Sequence, residues 1–392
     1  MSKNYDVIFV GGGVMSTATA YSLLLEQPKV RVVIIEKDPT YELAASPLAL
    51  GGVRQQFSTR VNIRLSRRSV DVYENFSEIM ESSAGKPKID FRQGGYLFLI
   101  SEKKWPTALE IAKLQRNEGV EIELLTPEDI SEMIPELDID GIVGGTICRR
   151  DGILDPQQVM HGYIKKVKEM GAHFVYDEVV GIEKKCGRAT GVITKTGKKY
   201  FGDAIVNSAG PWAGLIGEMA GVDVPVKPLP HDIYVCKIMP NIRLGHSYTT
   251  LPSDTWWFKE QPEGDTMLTG KTRLDFDFMF DYVPDRDFFF DHVWPGLAEK
   301  LDCFDRMRLI KAWRGCYDYN YHDYNAIIGE HPDLKGFYLI TGFSGHGLMQ
   351  APAAGRGLAE LIIYGKYKTL DLSEVNPGRF AEGKLVIEKA VI

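Results

Sequence analysis

The stretch YDVIFVGGGVMSTATAYSLLLEQPKVRVVIIEKD, residues 5–38, decides the fold. VIFV is short, apolar and β-branched, the texture of a strand buried on both faces. It runs into Gly11-Gly12-Gly13; the residues that follow predict a helix, and RVVII predicts a second strand. Gly11 and Gly13 take the first two positions of a Gly-x-Gly-x-x-Gly pattern. The first permits a tight turn. The second lets a pyrophosphate approach backbone N–H groups at a helix N-terminus, where the peptide dipoles leave partial positive charge. Ser16 stands at the third position, small enough to loosen helix–strand packing without abolishing it. Glu36 ends the second strand, 23 residues beyond Gly13, where a carboxylate accepts hydrogen bonds from an adenosine ribose. A glycine motif between two strands, with the acid in register, predicts a dinucleotide site. It leaves FAD and NAD both open and disfavours a 2'-phosphate.

Val7 to Leu25 carries no charge and approaches membrane-spanning length, but three glycines and then Ser16, Thr17 and Thr19 interrupt it. It reads as a buried strand and a packed helix. The 392 residues suffice for two domains or one large α/β body with a satellite. A net charge of -7, with no basic tract, argues against nucleic-acid affinity. The five cysteines form no Cys-x-x-Cys pair, so neither a zinc site nor a disulfide framework is suggested, and a cytoplasmic compartment is the expectation.

After Glu36 comes a small-residue loop to Gly52, suited to close approach by a cofactor. Arg60, Arg64 and Arg68 share one face of the next predicted helix and read as a solvated or ion-paired stripe. Arg54, at the loop–helix junction, is instead a candidate for an anionic substrate group, since guanidinium binds carboxylate bidentately. Residues 91–100 and 142–148 predict strands, with a helix from Pro106 to Glu118 between them. Residues 155–172 predict an amphipathic helix, and 173–207 a strand meander turning at Cys186-Gly187-Arg188 and Thr196-Gly197-Lys198. The meander ends in AIVNSAGPWAG, a second strand-to-helix turn of the kind that lies against a cofactor. Residues 226–320 form an apolar, aromatic, strand-rich block, including TWWFKE and TMLTGKT. It closes with Tyr317, Tyr319, Tyr321 and Tyr324, which predict a pocket wall just before TGFSGHGLMQAP, residues 341–352. That glycine-rich turn opening a helix offers a second ring of backbone N–H groups. Cofactor-type and strand-rich blocks alternate without a linker, so two interleaved domains are expected.

Together GGGVMSTATA with Glu36, NSAGPWAG and FYLITGFSGHGLMQAPAAGRGLAELI resemble the D-amino-acid oxidase family of FAD-dependent oxidoreductases along essentially the whole chain. The likeness is to its sarcosine oxidase, glycine oxidase and dimethylglycine dehydrogenase branch. GGVRQQFS and WRGCYDYN are similar to a flavoprotein that assists assembly of mitochondrial respiratory complex I. The resemblance implies an α/β fold: a Rossmann-like FAD-binding domain (1–85, 146–225, 323–392) interleaved with a mixed-sheet substrate domain (86–145, 226–322). It implies oxidation of a C–N bond of a small amine or amino acid by hydride transfer to flavin N5, with oxygen or another electron acceptor. The alternative it allows is a flavin-binding assembly or interaction protein with little catalysis. Beside Gly11, Gly13 and Glu36, it implies FAD contacts from Val14, Met15, Lys37, Ser46, Gly52, Val179, Ala209, Gly210 and Trp212. Gly342, Gly345, His346, Gly347, Leu348 and Met349 would hold the isoalloxazine, where helix-terminal N–H groups favour the anionic reduced ring.

Arg54 matches a carboxylate-binding arginine of the family. Met349 falls where sarcosine oxidases carry a carboxylate-binding lysine, Tyr317 where glycine oxidase has an arginine, and Leu268 where monomeric sarcosine oxidase has an oxygen-reducing lysine. The substrate is therefore unnamed, with Arg54, Tyr317, His346 and Met349 as candidate catalytic residues. Cys316 falls where monomeric sarcosine oxidase attaches its flavin; non-covalent FAD is the expectation and a link through Cys316 the alternative.

Overall fold

A computed structural model describes residues 3–238, 248–251, 256–260, 266–273 and 277–388. Thr255, the first residue of TWWFKE, lies outside the described residues. The stretch 5–38 forms strand Lys3–Val10, helix Val14–Glu26 and strand Val32–Glu36, as its pattern predicts. These strands sit mid-sheet, hydrogen-bonded in parallel in the order Phe337–Thr341, Lys199–Asn207, Lys3–Val10, Val32–Glu36, His173–Tyr176. Val32–Glu36 is buried along its whole length, which is why it reads as a continuous apolar run. The meander Val179–Lys185, Arg188–Thr194 and Lys199–Asn207 attaches antiparallel, and Ile327–Glu330 pairs antiparallel with Phe337–Thr341. Helices Val14–Glu26 and Gly347–Tyr364 pack closely: a Cβ on Gly355 would stand 2.7 Å from the backbone of Ala18.

A second eight-stranded sheet is mixed and runs, in order, Arg308–Asn320, Val226–Lys237, Thr266–Lys271, Trp256–Glu260, Tyr248–Thr250, Tyr96–Ser101, Ile142–Cys148, Ile122–Leu125. One pairing in it is parallel, Tyr248–Thr250 with Tyr96–Ser101. Its long pair places His231 opposite Gly315 and Leu229 opposite Tyr317. The strand expected over 91–100 is broken. Arg92–Gln93 joins a small three-stranded sheet, and Tyr96–Ser101 the large one, because Gly94 and Gly95 both donate to Asp151 O and Gly95 adopts φ 107°. The helix expected from Pro106 spans Trp105–Asn117. On helix Arg60–Glu74, Arg60 and Arg64 pair with Glu118, the ion-paired reading of that stripe.

Candidate cofactor groove and adjoining chamber

The strand-to-helix turns of the parallel sheet line one groove, about 210 Å³ in volume. At Gly11 the turn requires glycine: φ is 96°, and a Cβ would lie 2.7 Å from Ser208 O. Gly13 caps helix Val14–Glu26 with no side chain, so its terminal amides face outward; Val14 N meets Ser46 Oγ at 3.3 Å. Ser16 is fully buried and its hydroxyl bonds Gly13 O, holding the turn where a third glycine was missing. Glu36 accepts from Gly12 N (2.6 Å) and Asp38 N (2.8 Å). Burial pushes its carboxyl up from the ordinary range, and those two amide bonds oppose the shift. Beside it the buried Tyr41 hydroxyl has no hydrogen-bond partner among the described residues, and Tyr41 itself takes φ 57°. Val179, Ser208, Ala209, Gly210 and Trp212 continue the wall, with Lys37 Nζ 3.4 Å from the Trp212 ring centroid.

At its far end the groove reaches Tyr317, Asp318, Phe343, Gly345, Gly347 and Leu348. Asp318 accepts from Phe343 N (3.1 Å) and Thr341 Oγ1 (3.4 Å), fixing the glycine turn, and burial pushes its carboxyl up to about 6. Gly342 does not line the groove. It turns the chain with φ 72°, packed on Ile327 and Asn320.

A second chamber of about 90 Å³ borders the groove at Ala45, Ala49, Tyr317, Gly345 and Leu348. Arg54, Tyr317, His346 and Met349, predicted from distant parts of the sequence, all line it. Gly52, His346 and Met349, expected at the cofactor, line this chamber and not the groove, because the turn at 342–349 runs between the two cavities. Arg54 is 1% exposed; it donates to Gln56 O and approaches His346 Nε2 at 3.4 Å, with its guanidinium 4.0 Å from the Phe57 ring centroid. Burial, then Arg54, holds the His346 imidazole well below its usual range, so it is neutral. Cys316 is buried in the chamber wall, 3.6 Å from Asp281 O, its thiol pushed up by burial.

Sequence reasoning missed much of this wall. Tyr96, Tyr248 and Trp257 stack in series, centroids 4.3 and 5.6 Å apart. His231 stacks on Tyr317 at 4.8 Å. Lys259 is the cross-strand partner of Leu268; it donates to Leu50 O at 2.6 Å and is pushed down to about 8 by burial. Asp151, fully buried, accepts from Gln55 N and Gln56 Nε2 and anchors the loop carrying Arg54; burial pushes it up to about 6. Glu388 accepts from Ser58 N (2.7 Å), Thr59 Oγ1 (2.8 Å) and Asn62 Nδ2 (2.9 Å) at the start of helix Arg60–Glu74. Of the four tyrosines expected as a pocket wall, Tyr317 alone lines either cavity: Tyr319 packs on Phe278 and Tyr324, and Tyr321 on His322. Among the described residues, no carboxylate lines the chamber.

Fold and site define a dinucleotide-dependent oxidoreductase with a buried, cation-bearing chamber against its cofactor groove. Residues 6–361 match the DAO family, described as FAD dependent oxidoreductase, and the chain belongs to that family. This decides for FAD where residues 5–38 left NAD open. It is 31% identical to FAD-dependent oxidoreductase domain-containing protein 1 of Bos taurus, over 99% of this chain and 87% of that protein. It is 25% identical to the sarcosine oxidase subunit beta of an Arthrobacter species, over 98% and 93%. Among solved structures it superposes on L-proline dehydrogenase from P. horikoshii with TM-score 0.87 and 28% identity, covering 98% and 100% of the two chains.

The groove fits FAD. The Gly11 cradle would be filled by any Cβ, helix-terminal amides await a pyrophosphate, and Glu36 and the orphan Tyr41 hydroxyl offer acceptor and donor to a ribose.

Proposed function

We propose that the protein oxidises the C–N bond of a small amino acid or amine. The observation that carries this reading is the chamber: a buried guanidinium, aromatic walls and, among the described residues, no carboxylate, bordering the groove at Tyr317, Gly345 and Leu348. The relatives named for sarcosine and L-proline support an amino-acid substrate. Gly11 to Met15, Glu36, Ser46, Val179, Ala209 to Trp212 and Gly345 to Leu348 would hold FAD, with Lys37 at the Trp212 face. When bound, FAD supplies the two-electron acceptor, flavin N5, for a hydride from the substrate carbon bonded to nitrogen.

The chain's own part is positioning and charge. Arg54 takes the substrate carboxylate, held rigid by Gln56 O and His346. The Tyr96–Tyr248–Trp257 stack excludes water, and Met349 closes the chamber with apolar surface where a lysine would add a second cation. Non-covalent FAD belongs to the same reading: the Cys316 thiol is kept protonated by burial and faces carbonyl oxygens, so it is no ready nucleophile.

Anaerobic titration of the purified flavoprotein with L-proline, sarcosine, dimethylglycine and glycine tests the proposal, followed by admission of oxygen or a dye. Bleaching of the flavin by one of them supports it. A spectrum that stays oxidised across the panel refutes it and leaves the reading as a flavin-binding interaction protein.

A further inference from the structure

We propose that His231 recognises the substrate nitrogen: its imidazole accepts a hydrogen bond from the N–H of the neutral amine, so the chamber takes an amino acid as amine plus carboxylate and turns away the ammonium form. The inference rests on the amino-acid reading above and adds to it the residue, and the protonation state, by which the amine end is chosen.

His231 lies on strand Val226–Lys237 opposite Gly315, and its imidazole lies flat on Tyr317, 20° from parallel. Tyr317 borders both cavities, which places His231 beside the junction of chamber and groove, where a reacting C–N bond must lie. Among the described residues neither ring nitrogen of His231 has a hydrogen-bond partner, although the residue is 5% exposed. An imidazole that lines the chamber with no partner among the described residues can accept a hydrogen bond from a ligand there.

The other acceptors are committed or weaker. Arg54 has donors alone, so its contact with His346 uses the Nε2 lone pair and leaves that neutral ring only an N–H to offer. Ser344 Oγ accepts from Asn320 N and donates to Gly342 O. Cys316 Sγ faces the carbonyls of Met279 and Asp281. The tyrosine hydroxyls are poorer lone-pair donors than an imidazole nitrogen.

Charge points the same way. Burial, and then Arg314, holds His231 down at about 4, so it is neutral and accepts a proton's hydrogen bond without taking the proton. Arg314 is itself neutralised by Asp232 and Asp281, outside the chamber lining. Among the described residues lining it Arg54 is the one fixed charge; a substrate carboxylate cancels it, and an ammonium would then stand buried with no counter-ion among them. The amine loses its proton to solvent before binding, and its lone pair is then free to assist departure of the hydride.

The test uses the holoenzyme and two ligand pairs matched in shape: L-proline with cyclopentanecarboxylate, and sarcosine with butanoate. Amino-acid affinity is read from saturation of the anaerobic flavin-reduction rate, and affinity of the nitrogen-free acids from perturbation of the flavin spectrum. For His231→Phe the expected result is roughly 10- to 100-fold weaker amino-acid binding, with the nitrogen-free acid unchanged within about threefold. His231→Gln, whose amide oxygen accepts a hydrogen bond, recovers most of the loss. Equal weakening of both ligands, or of neither, overturns the assignment. Failure of both amino acids to reduce the wild-type flavin overturns the functional reading beneath it.

Discussion

Removing the Arg54 guanidinium isolates the carboxylate end of the substrate. In Arg54→Met an apolar stem remains, and the charge, the guanidinium's contact with the Phe57 ring and its bonds to Gln56 O and His346 Nε2 are lost. A charge-assisted hydrogen bond contributes about 1.5–3 kcal/mol, and a carboxylate on a buried guanidinium makes two. Part of that is offset by desolvation, since burial already disfavours the Arg54 charge. A net loss near 3 kcal/mol corresponds to roughly 150-fold weaker binding of cyclopentanecarboxylate to the holoenzyme. Pyrrolidine, which has the amine and no carboxylate, changes by less than about threefold. Arg54→Lys falls between, because a buried ammonium is a point charge without the planar fork. The measurement is ligand perturbation of the flavin spectrum for the acid and reduction-rate saturation for the amine. Acid affinity within about threefold of wild type in Arg54→Met, or equal losses for acid and amine, refutes the placement of the carboxylate on Arg54.

Four further outcomes are expected. Gly11→Ala meets Ser208 O at 2.7 Å with φ 96°, so purified protein should carry little flavin and be about 1–3 kcal/mol less stable; full flavin content by absorbance would refute the cradle. Arg379→Met strips the counter-ion from buried Asp323 and should cost about 3–5 kcal/mol in urea unfolding, whereas the exposed Lys86→Met should leave the urea midpoint essentially unchanged. Asp151 titrates near 6 folded and near ~3.9 unfolded, so its favourable contribution is complete below about pH 4 and lost as pH rises through 6. The urea midpoint of Asp151→Asn, relative to wild type, should therefore improve between pH 4.5 and 7; a constant difference would exclude that titration. Acid precipitation should release all the yellow colour from wild type and from Cys316→Ser alike, and flavin retained in the wild-type pellet alone would establish a link through Cys316.

What was legible in the sequence is what short spacing encodes. Gly11, Gly13 and Glu36 lie within one strand–helix–strand unit, so their separation alone puts them on one groove edge. The turn at 342–349 was legible as glycines opening a helix, but which of its residues face which cavity was not. Gly342 bends the chain away while Gly345, φ 94°, presses against the Tyr317 ring. Tyr317 and Tyr319 share a strand face, yet one step along the strand, about 6–7 Å, takes Tyr319 past the cavity edge. Tyr41 left no signal, since its orphan hydroxyl depends on a left-handed turn at a non-glycine residue. Nor did Glu388, which meets Asn62 across 326 residues.

The chamber's charge shows most plainly why the remainder could not be read. By composition Arg54, His231 and His346 are three basic residues, a cluster able to bind several negative charges. Folding silences two of them: both imidazoles lose their protons to burial, one beside Arg54 and one near Arg314. The same burial cannot neutralise a guanidinium, whose ordinary pKa lies too far above neutrality. Among the described residues a single fixed positive charge is left facing two neutral rings, His346 with an N–H to offer and His231 with a free lone pair. That balance admits one carboxylate and one uncharged amine, and it arises from how deeply three side chains pack, a quantity that residue identity alone does not carry.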